Sequence, residues 1–175
     1  PKSSDIIFDL CSAPGGKTTH MAELQNDQGR VYAFDIHQHR IQLVEKAVQR
    51  LGLNSVNTLV ADGRFLDQLN LPQPDSILID APCSGLGVLG RLPEIKWRRQ
   101  ADDLKRFQEL QLQLLSSAAE ILPVGGKIIY AVCSTEEEET IQVAKEFASV
   151  HRSFTPLTLQ PLLPRGLQND QDSFE

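Results

Sequence analysis

The chain reads as an α/β protein with a doubly wound, mostly parallel sheet. Two observations predict it. Short runs of β-branched and apolar residues alternate with longer stretches whose apolar residues fall three or four apart. The short runs end in Asp, in Cys or in Gly-containing turns, and in an open α/β sheet the carboxyl ends of the strands line the ligand crevice.

The elements follow in order. Ile6-Ile7-Phe8-Asp9-Leu10 is a first buried strand, and Gly15-Gly16 turns the chain into a helix through Leu24. Val31 to Ile36 is a second strand. Gln38 to Leu51 places Ile41, Val44, Val48 and Leu51 on one helical face, with Gly52 as its stop. Val56 to Ala61 and Ser76 to Asp80 are strands three and four. A long helix covers Ala101 to Leu122, ended by Pro123 and Gly125-Gly126, and Lys127 to Val132 is strand five. Ser134 or Thr135 is expected to cap the next helix, with Glu137 or Glu138 completing a capping box and the Glu136 to Glu139 run facing solvent. That helix continues through Ile141, Ala144, Phe147 and Ala148. Phe154 to Leu159 reads as a sixth strand, and the polar tail after Pro161 reads as loop.

At 175 residues, with 41% hydrophobic and 23% charged residues, the chain suits one soluble domain. It has no apolar run long enough to span a membrane. It starts at Pro1 and stops at Glu175 as a segment of a longer protein would. The three Cys suit reduced thiols in a cytoplasm, and no Cys/His spacing reads as a metal site. A net charge of −6 argues against gripping nucleic acid by bulk electrostatics, although Arg91, Lys96, Arg98 and Arg99 cluster after one motif, followed by Lys105 and Arg106.

Two thiols stand at strand ends, Cys83 in Asp80-Ala81-Pro82-Cys83-Ser84-Gly85 and Cys133 in Ala131-Val132-Cys133-Ser134-Thr135. If those strands are neighbours, both thiols face one crevice, one able to attack an electrophilic carbon and the other to act later. Taken singly, each reads more readily as a buried small hydrophobe, and the motifs at the other strand ends turn the balance. The first loop, Cys11-Ser12-Ala13-Pro14-Gly15-Gly16-Lys17-Thr18, fails as a phosphate loop because Cys11 stands where the first Gly is needed, and it lacks the G-x-G-x-x-G spacing. What remains is a nucleoside cofactor lying against a close-approach Gly turn and a helix N-terminus. Asp35 at the end of strand two is placed to take ribose hydroxyls. Asp62 and Asp80 end strands three and four. Acids at three strand ends disfavour a phosphate-rich ligand and suit S-adenosylmethionine, which carries a sulfonium, an amine and no phosphate.

These residues resemble a known family. Asp9 to His20 looks like the first motif of RNA (cytosine-5) methyltransferases, Asp80 to Gly87 like their fourth, and Tyr130-Ala131-Val132-Cys133-Ser134 like their sixth. Arg91-Leu92-Pro93-Glu94-Ile95-Lys96-Trp97 is also similar, and the resemblance extends from Ile6 to about Phe147. The nearest branch is the bacterial Sun/Fmu type acting on 16S ribosomal RNA. The resemblance implies a Rossmann-like class I methyltransferase fold and a catalytic domain over residues 1–160. Residues 161–175 would be a truncated tail, and the family's N-terminal RNA-binding region would lie outside the sequence. It implies S-adenosylmethionine held by Cys11, Ser12, Ala13, Pro14, Gly15, Gly16, Lys17, Asp35, Asp62 and Asp80. It implies Cys133 as nucleophile, Cys83 as helper in product release, and Asp80 as partner of the cytosine edge. Val132 replaces the Thr of many relatives. A cytoplasmic monomer acting on an unpaired cytosine, with no metal and no membrane, completes the expectation.

The chemistry explains the residue types. Carbon 5 of cytosine becomes nucleophilic once a thiolate adds at carbon 6, and a Cys before a helix N-terminus is expected to ionise readily. A paired cytosine is out of reach, so the base must be unpaired or flipped. Trp97 and Lys96 are read either as an RNA contact or as a helix start with a half-buried Trp. His20 is read as a structural helix residue, and Cys11 as lending only its backbone. Two rivals keep the fold: a methyltransferase for small molecules or proteins, and a non-catalytic binding module.

Overall fold

The computed structural model describes residues 1–158. Five parallel strands, β1 (Ile6–Leu10), β2 (Arg30–Asp35), β3 (Val56–Val60), β4 (Ser76–Asp80) and β5 (Lys127–Ala131), pair in the order β3-β2-β1-β4-β5. Helices α1 (Gly16–Leu24) and α2 (Gln38–Leu51) connect the first three strands. The short α3 (Ile95–Arg98) and the long α4 (Ala101–Ile121) lie between β4 and β5, and α5 (Ile141–Val150) follows β5.

Strand alternation decides which residue packs on which layer. From β1 and β2, Ile7 and Val31 pack with Ala22 of α1, and Ala33 packs with Val44 of α2. Their neighbours Phe8, Leu10, Tyr32 and Phe34 point the other way. With Ile77 and Ile79 of β4 they form the larger core against Leu114, Leu115 and Ala118 of α4 and Val143 of α5. Phe8 sits at the centre, its ring 5.4 Å from Tyr32 and 5.1 Å from Phe34. Truncating such a ring to Ala costs about 3–5 kcal/mol.

The strand order reverses at β1, which pairs with β2 on one side and β4 on the other. Ligands of open α/β sheets bind beyond the carboxyl ends of the strands at such a switch point. The helix stops are local chemistry. Gly52 ends α2 at a φ of 66°, a left-handed conformation that costs glycine little. Gln100 and Asp103 form a capping box at the start of α4.

Three expectations are corrected. Strands two, three and five stop one residue earlier than read. Phe154 to Thr158 carries no strand, while Leu159 and the tail expected as loop lie outside the described residues. Ser134 and Thr135 cap no helix. A 3₁₀ turn at Glu137–Glu139 comes first, and α5 starts only at Ile141. Tertiary contacts override the local capping signal: Ser134 Oγ accepts the Glu136 N–H and lies 3.2 Å from Ser84 Oγ.

Candidate active site

The loop after β1 is built by backbone geometry. Cys11 takes a φ of 62°, unusual for a residue with a Cβ. The Ser12 N–H donates to Phe34 O at 2.8 Å, the Gly15 N–H to Ser12 O at 2.9 Å, and Arg40 Nη2 to Ala13 O at 3.1 Å. Gly15 adopts a φ of 105°, and a Cβ there would lie 3.1 Å from the α2 backbone at Val44, so the loop and helix approach as only glycine permits. Cys11 is half-buried. Burial, then the charge of Asp35, push its thiol up to about 12, so it stays neutral and serves the loop through its backbone.

The three strand-end acids each have a cation from this chain. Lys17 Nζ lies 2.6 Å from Asp80 Oδ2, Arg40 Nε 3.2 Å from Asp35 Oδ2, and Arg64 Nη2 2.5 Å from Asp62 Oδ2. Arg64 also donates through its main-chain N–H and Nε, which holds the Asp62 carboxyl below the usual range. Asp35 is buried and accepts the His37 N–H at 3.0 Å, while its Oδ2 makes no hydrogen bond. Ser12 Oγ, in the same loop, is likewise buried without a hydrogen-bond partner. Those two buried atoms have acceptor capacity that the hydroxyls of a ligand could use, Asp35 Oδ2 alongside its ion pair with Arg40. Asp9, under the loop, takes a hydrogen bond from Thr18 Oγ1 at 2.5 Å. Burial pushes its carboxyl up to about 7 despite that bond.

The structure brings the two thiols together. Cys83 Sγ and Cys133 Sγ are 3.1 Å apart as free cysteines, and the Cys133 N–H donates to Cys83 Sγ at 3.3 Å. The pairing of β4 with β5 sets this approach, for Asp80 lies opposite Ala131. Gly87 completes it. Its N–H donates to Cys133 O at 3.1 Å, and a Cβ would sit 3.1 Å from that oxygen. Cys133 is exposed, whereas Cys83 is half-buried. Burial and the Cys133 contact push the Cys83 thiol up to about 12, so it keeps its proton at neutral pH. The expected helix N-terminus behind Cys133 is absent, since α5 begins at Ile141.

The Glu136–Glu139 run does not face solvent as a unit. Glu139 is fully buried and accepts the Ser84 N–H at 2.8 Å, the Ser84 hydroxyl, and Gln111 Nε2 at 3.2 Å. Gln111, from α4, also donates to Pro82 O at 2.9 Å. Arg99 Nε donates to Ser84 O at 2.7 Å, with its guanidinium 5.0 Å from the Phe107 ring. Sequence reasoning missed Glu139, Gln111 and this role of Arg99. Only Gln111 left a signal, a polar residue on the apolar stripe of α4. Trp97 is 84% exposed rather than half-buried, with Lys96 Nζ 5.9 Å from its ring. His20 is an exposed position of α1. Among the described residues no cluster of His, Cys, Asp or Glu could hold a metal ion, and no helix is long and apolar enough to cross a membrane.

A parallel sheet of this order, with a Gly turn and acids beyond its carboxyl ends, defines a Rossmann-like class I methyltransferase fold. Comparison with known proteins narrows this: the family model described as 16S rRNA methyltransferase RsmB/F matches residues 1–173, and the chain belongs to that family. It is 39% identical over 170 residues to the "Probable ribosomal RNA small subunit methyltransferase B" of Bacillus subtilis (strain 168), covering 96% of this chain and 38% of that protein. It is 41% identical over 163 residues to ribosomal RNA small subunit methyltransferase B of Klebsiella pneumoniae (strain 342), covering 89% of this chain and 37% of that one. The chain thus spans well under half the length of these curated relatives. Among solved structures it resembles NSun6 from Pyrococcus horikoshii with SFG. The TM-score is 0.79 at 34% identity, over 86% of this chain and 38% of that one.

Proposed function

We propose that this chain is the catalytic unit of an enzyme that transfers a methyl group from S-adenosylmethionine to carbon 5 of a cytosine in RNA, 16S ribosomal RNA by family. The reaction runs through a covalent Cys133 adduct at carbon 6. The observation that carries this reading is the 3.1 Å pair of free thiols at the ends of β4 and β5, beside the Lys17–Asp80 ion pair. A methyltransferase for small molecules or proteins has no need of two such thiols.

The donor set fits the cofactor. Asp35 Oδ2 and Ser12 Oγ have acceptor capacity to spare, and the loop from Cys11 to Lys17 presents backbone at the start of α1. When bound there, S-adenosylmethionine supplies a methyl group on a positively charged sulfur. Asp62 would hold its share of the ligand through the oxygens Arg64 already fastens. A relative in the solved structures is bound to SFG, an analogue of that cofactor, which supports the choice.

Cys133, the more exposed thiol, attacks carbon 6 as the thiolate. Cys83 retains its proton and can donate it toward the neighbouring sulfur, which stabilises the anionic form. Asp80 faces the cytosine N3 and amino edge, and the Lys17 ammonium that bridges to it supplies the positive charge and N–H donor that offset the negative charge developing at N3. Release needs loss of the carbon 5 proton to a base. The C6–Sγ bond then breaks with its electron pair returning to Cys133, and the C5=C6 double bond re-forms. Cys83 assists this step. Residues 1–160 form the working unit, a monomer in the cytoplasm, where three free thiols are at home.

The test is trapping with RNA containing 5-fluorocytosine, together with turnover on ordinary RNA. Cys133→Ala is expected to abolish both methylation and adduct. Cys83→Ala is expected to leave a protein–RNA adduct that survives SDS. Methylation by the Cys133→Ala protein at the unaltered rate refutes the nucleophile assignment.

A further inference from the structure

Glu139 is a fully buried acid that the reaction just described does not use. We propose that Glu139 is the positioning residue of the release step: it holds the Cys83 loop at the height where that thiol meets the adduct. The proposal rests on the function given above and assigns a role within that site.

The geometry is specific to Cys83. The residues on either side of it are tied to one polar knot. The Ser84 N–H donates to Glu139 Oε1 at 2.8 Å, and the Ser84 hydroxyl donates to Glu139 Oε2. The Pro82 carbonyl accepts from Gln111 Nε2, which donates to Glu139 Oε1 as well. From the other side, Tyr130 Oη donates to the Glu139 carbonyl at 2.7 Å, fixing the 3₁₀ turn to β5. Burial pushes the Tyr130 hydroxyl up, so it remains a donor throughout the working range. One residue therefore joins three parts of the fold around a single thiol, its carboxyl group reaching the loop after β4 and α4 and its main-chain carbonyl reaching β5.

Cys133 is held by other means. Its carbonyl accepts the Gly87 N–H, and the Ala81 N–H bonds Ala131 O two residues before it, so that its own N–H bond to Cys83 Sγ is one of several restraints. Loss of the Glu139 carboxyl therefore leaves the attacking thiol close to its place and frees the one that assists release. It also leaves the buried Ser84 N–H without a partner and removes one of the two acceptors of Gln111 Nε2, which drives the loop to rearrange. Displacements of about 1 Å at a reacting group cost on the order of 100-fold in rate.

The experiment measures single-turnover and steady-state methylation of a cytosine-containing RNA by the wild type, Glu139→Ala, Glu139→Gln and Gln111→Leu, with SDS-resistant adduct scored in parallel. Glu139→Ala is expected to keep its single-turnover methyl transfer and its S-adenosylmethionine affinity. It is expected to lose steady-state turnover on the order of 10- to 100-fold and to accumulate adduct. Glu139→Gln retains an acceptor for the Ser84 N–H and is expected to recover part of the turnover. Gln111→Leu, which frees Pro82 but leaves Ser84 tied, is expected to show a weaker form of the same defect. The proposal is overturned if Glu139→Ala turns over like the wild type, or if single-turnover transfer falls as far as turnover with no adduct. If Glu139→Ala does not fold, Glu139→Gln and Gln111→Leu decide by the same criteria. Failure of the functional reading looks different: the wild type then neither methylates nor is trapped by cytosine-containing RNA.

Discussion

Replacing Asp9 by Asn should change how stability depends on pH, and the structure supplies the size. Asp9 has no exposed surface, one oxygen bonded to Thr18 Oγ1, and the other without a partner. Burial, with a contribution from the charge of Asp80, lifts its pKa from 3.8 to about 7, against the pull of Thr18 and Lys17. Between those two values the folded chain holds a proton that the unfolded chain has released. Stability therefore falls as pH rises through this window, and the contribution present below 3.8 is gone above about 7. At about 1.36 kcal/mol for each tenfold in proton activity, the loss has a ceiling of about 4 kcal/mol. Asn keeps the shape and an acceptor for Thr18 but never ionises. The two proteins should thus match near pH 4 apart from a constant offset and diverge in favour of Asn by pH 8. In a domain of this size 1 kcal/mol moves the melting temperature by roughly 2–4 °C, so the divergence reaches roughly 8–16 °C at the ceiling. The assay is thermal or urea unfolding of both proteins at intervals from pH 4 to pH 8. Curves that stay parallel across this range would falsify the assignment of a protonated, buried Asp9.

Two further predictions concern charges at the two ends of the sheet. Lys17→Met removes the 2.6 Å partner of Asp80, but both side chains are about half exposed, so unfolding should shift by under about 1 kcal/mol. RNA methylation should nevertheless fall at least tenfold, on the order of one lost charge-assisted contact, and a variant with full activity removes Lys17 from the site. Asp27, at the opposite edge, is held down to about 2 by hydrogen bonds from Ser55 and Asn54. Its contribution is present above the ordinary 3.8 and is lost as pH falls toward 2, so Asp27→Asn should flatten the acid limb of the unfolding curve by roughly 1 kcal/mol after solvent screening. Acid titration followed by circular dichroism checks this, and identical acid limbs refute it.

The strands and helices were legible because their causes are local. The periodicity of Ile41, Val44, Val48 and Leu51 places α2, and Gly52 stops it at a left-handed φ, without reference to the rest of the chain. The loop from Cys11 to Lys17 and the strand-end acids were legible for a similar reason: a parallel sheet puts every strand's carboxyl end on one side. The Ser134 capping signal misled because a hydroxyl that can cap a helix can equally bond a hydroxyl from a distant loop, and Ser84, in the loop after β4, lies 3.2 Å away.

The sequence by itself determined an α/β sheet, a Gly turn after the first strand, and two thiols at strand ends. Tertiary structure decided that those strands are β4 and β5 side by side, which converts a separation of 50 residues into 3.1 Å. It also decided which Glu in a run of four goes inside. Nothing local distinguishes Glu139 from Glu136, Glu137 or Glu138. The difference is the set of donors waiting in the interior, Ser84 from the loop after β4 and Gln111 from α4. A buried carboxyl group is tolerated only where hydrogen bonds replace the water it leaves, and those bonds come from parts of the chain that only folding brings together.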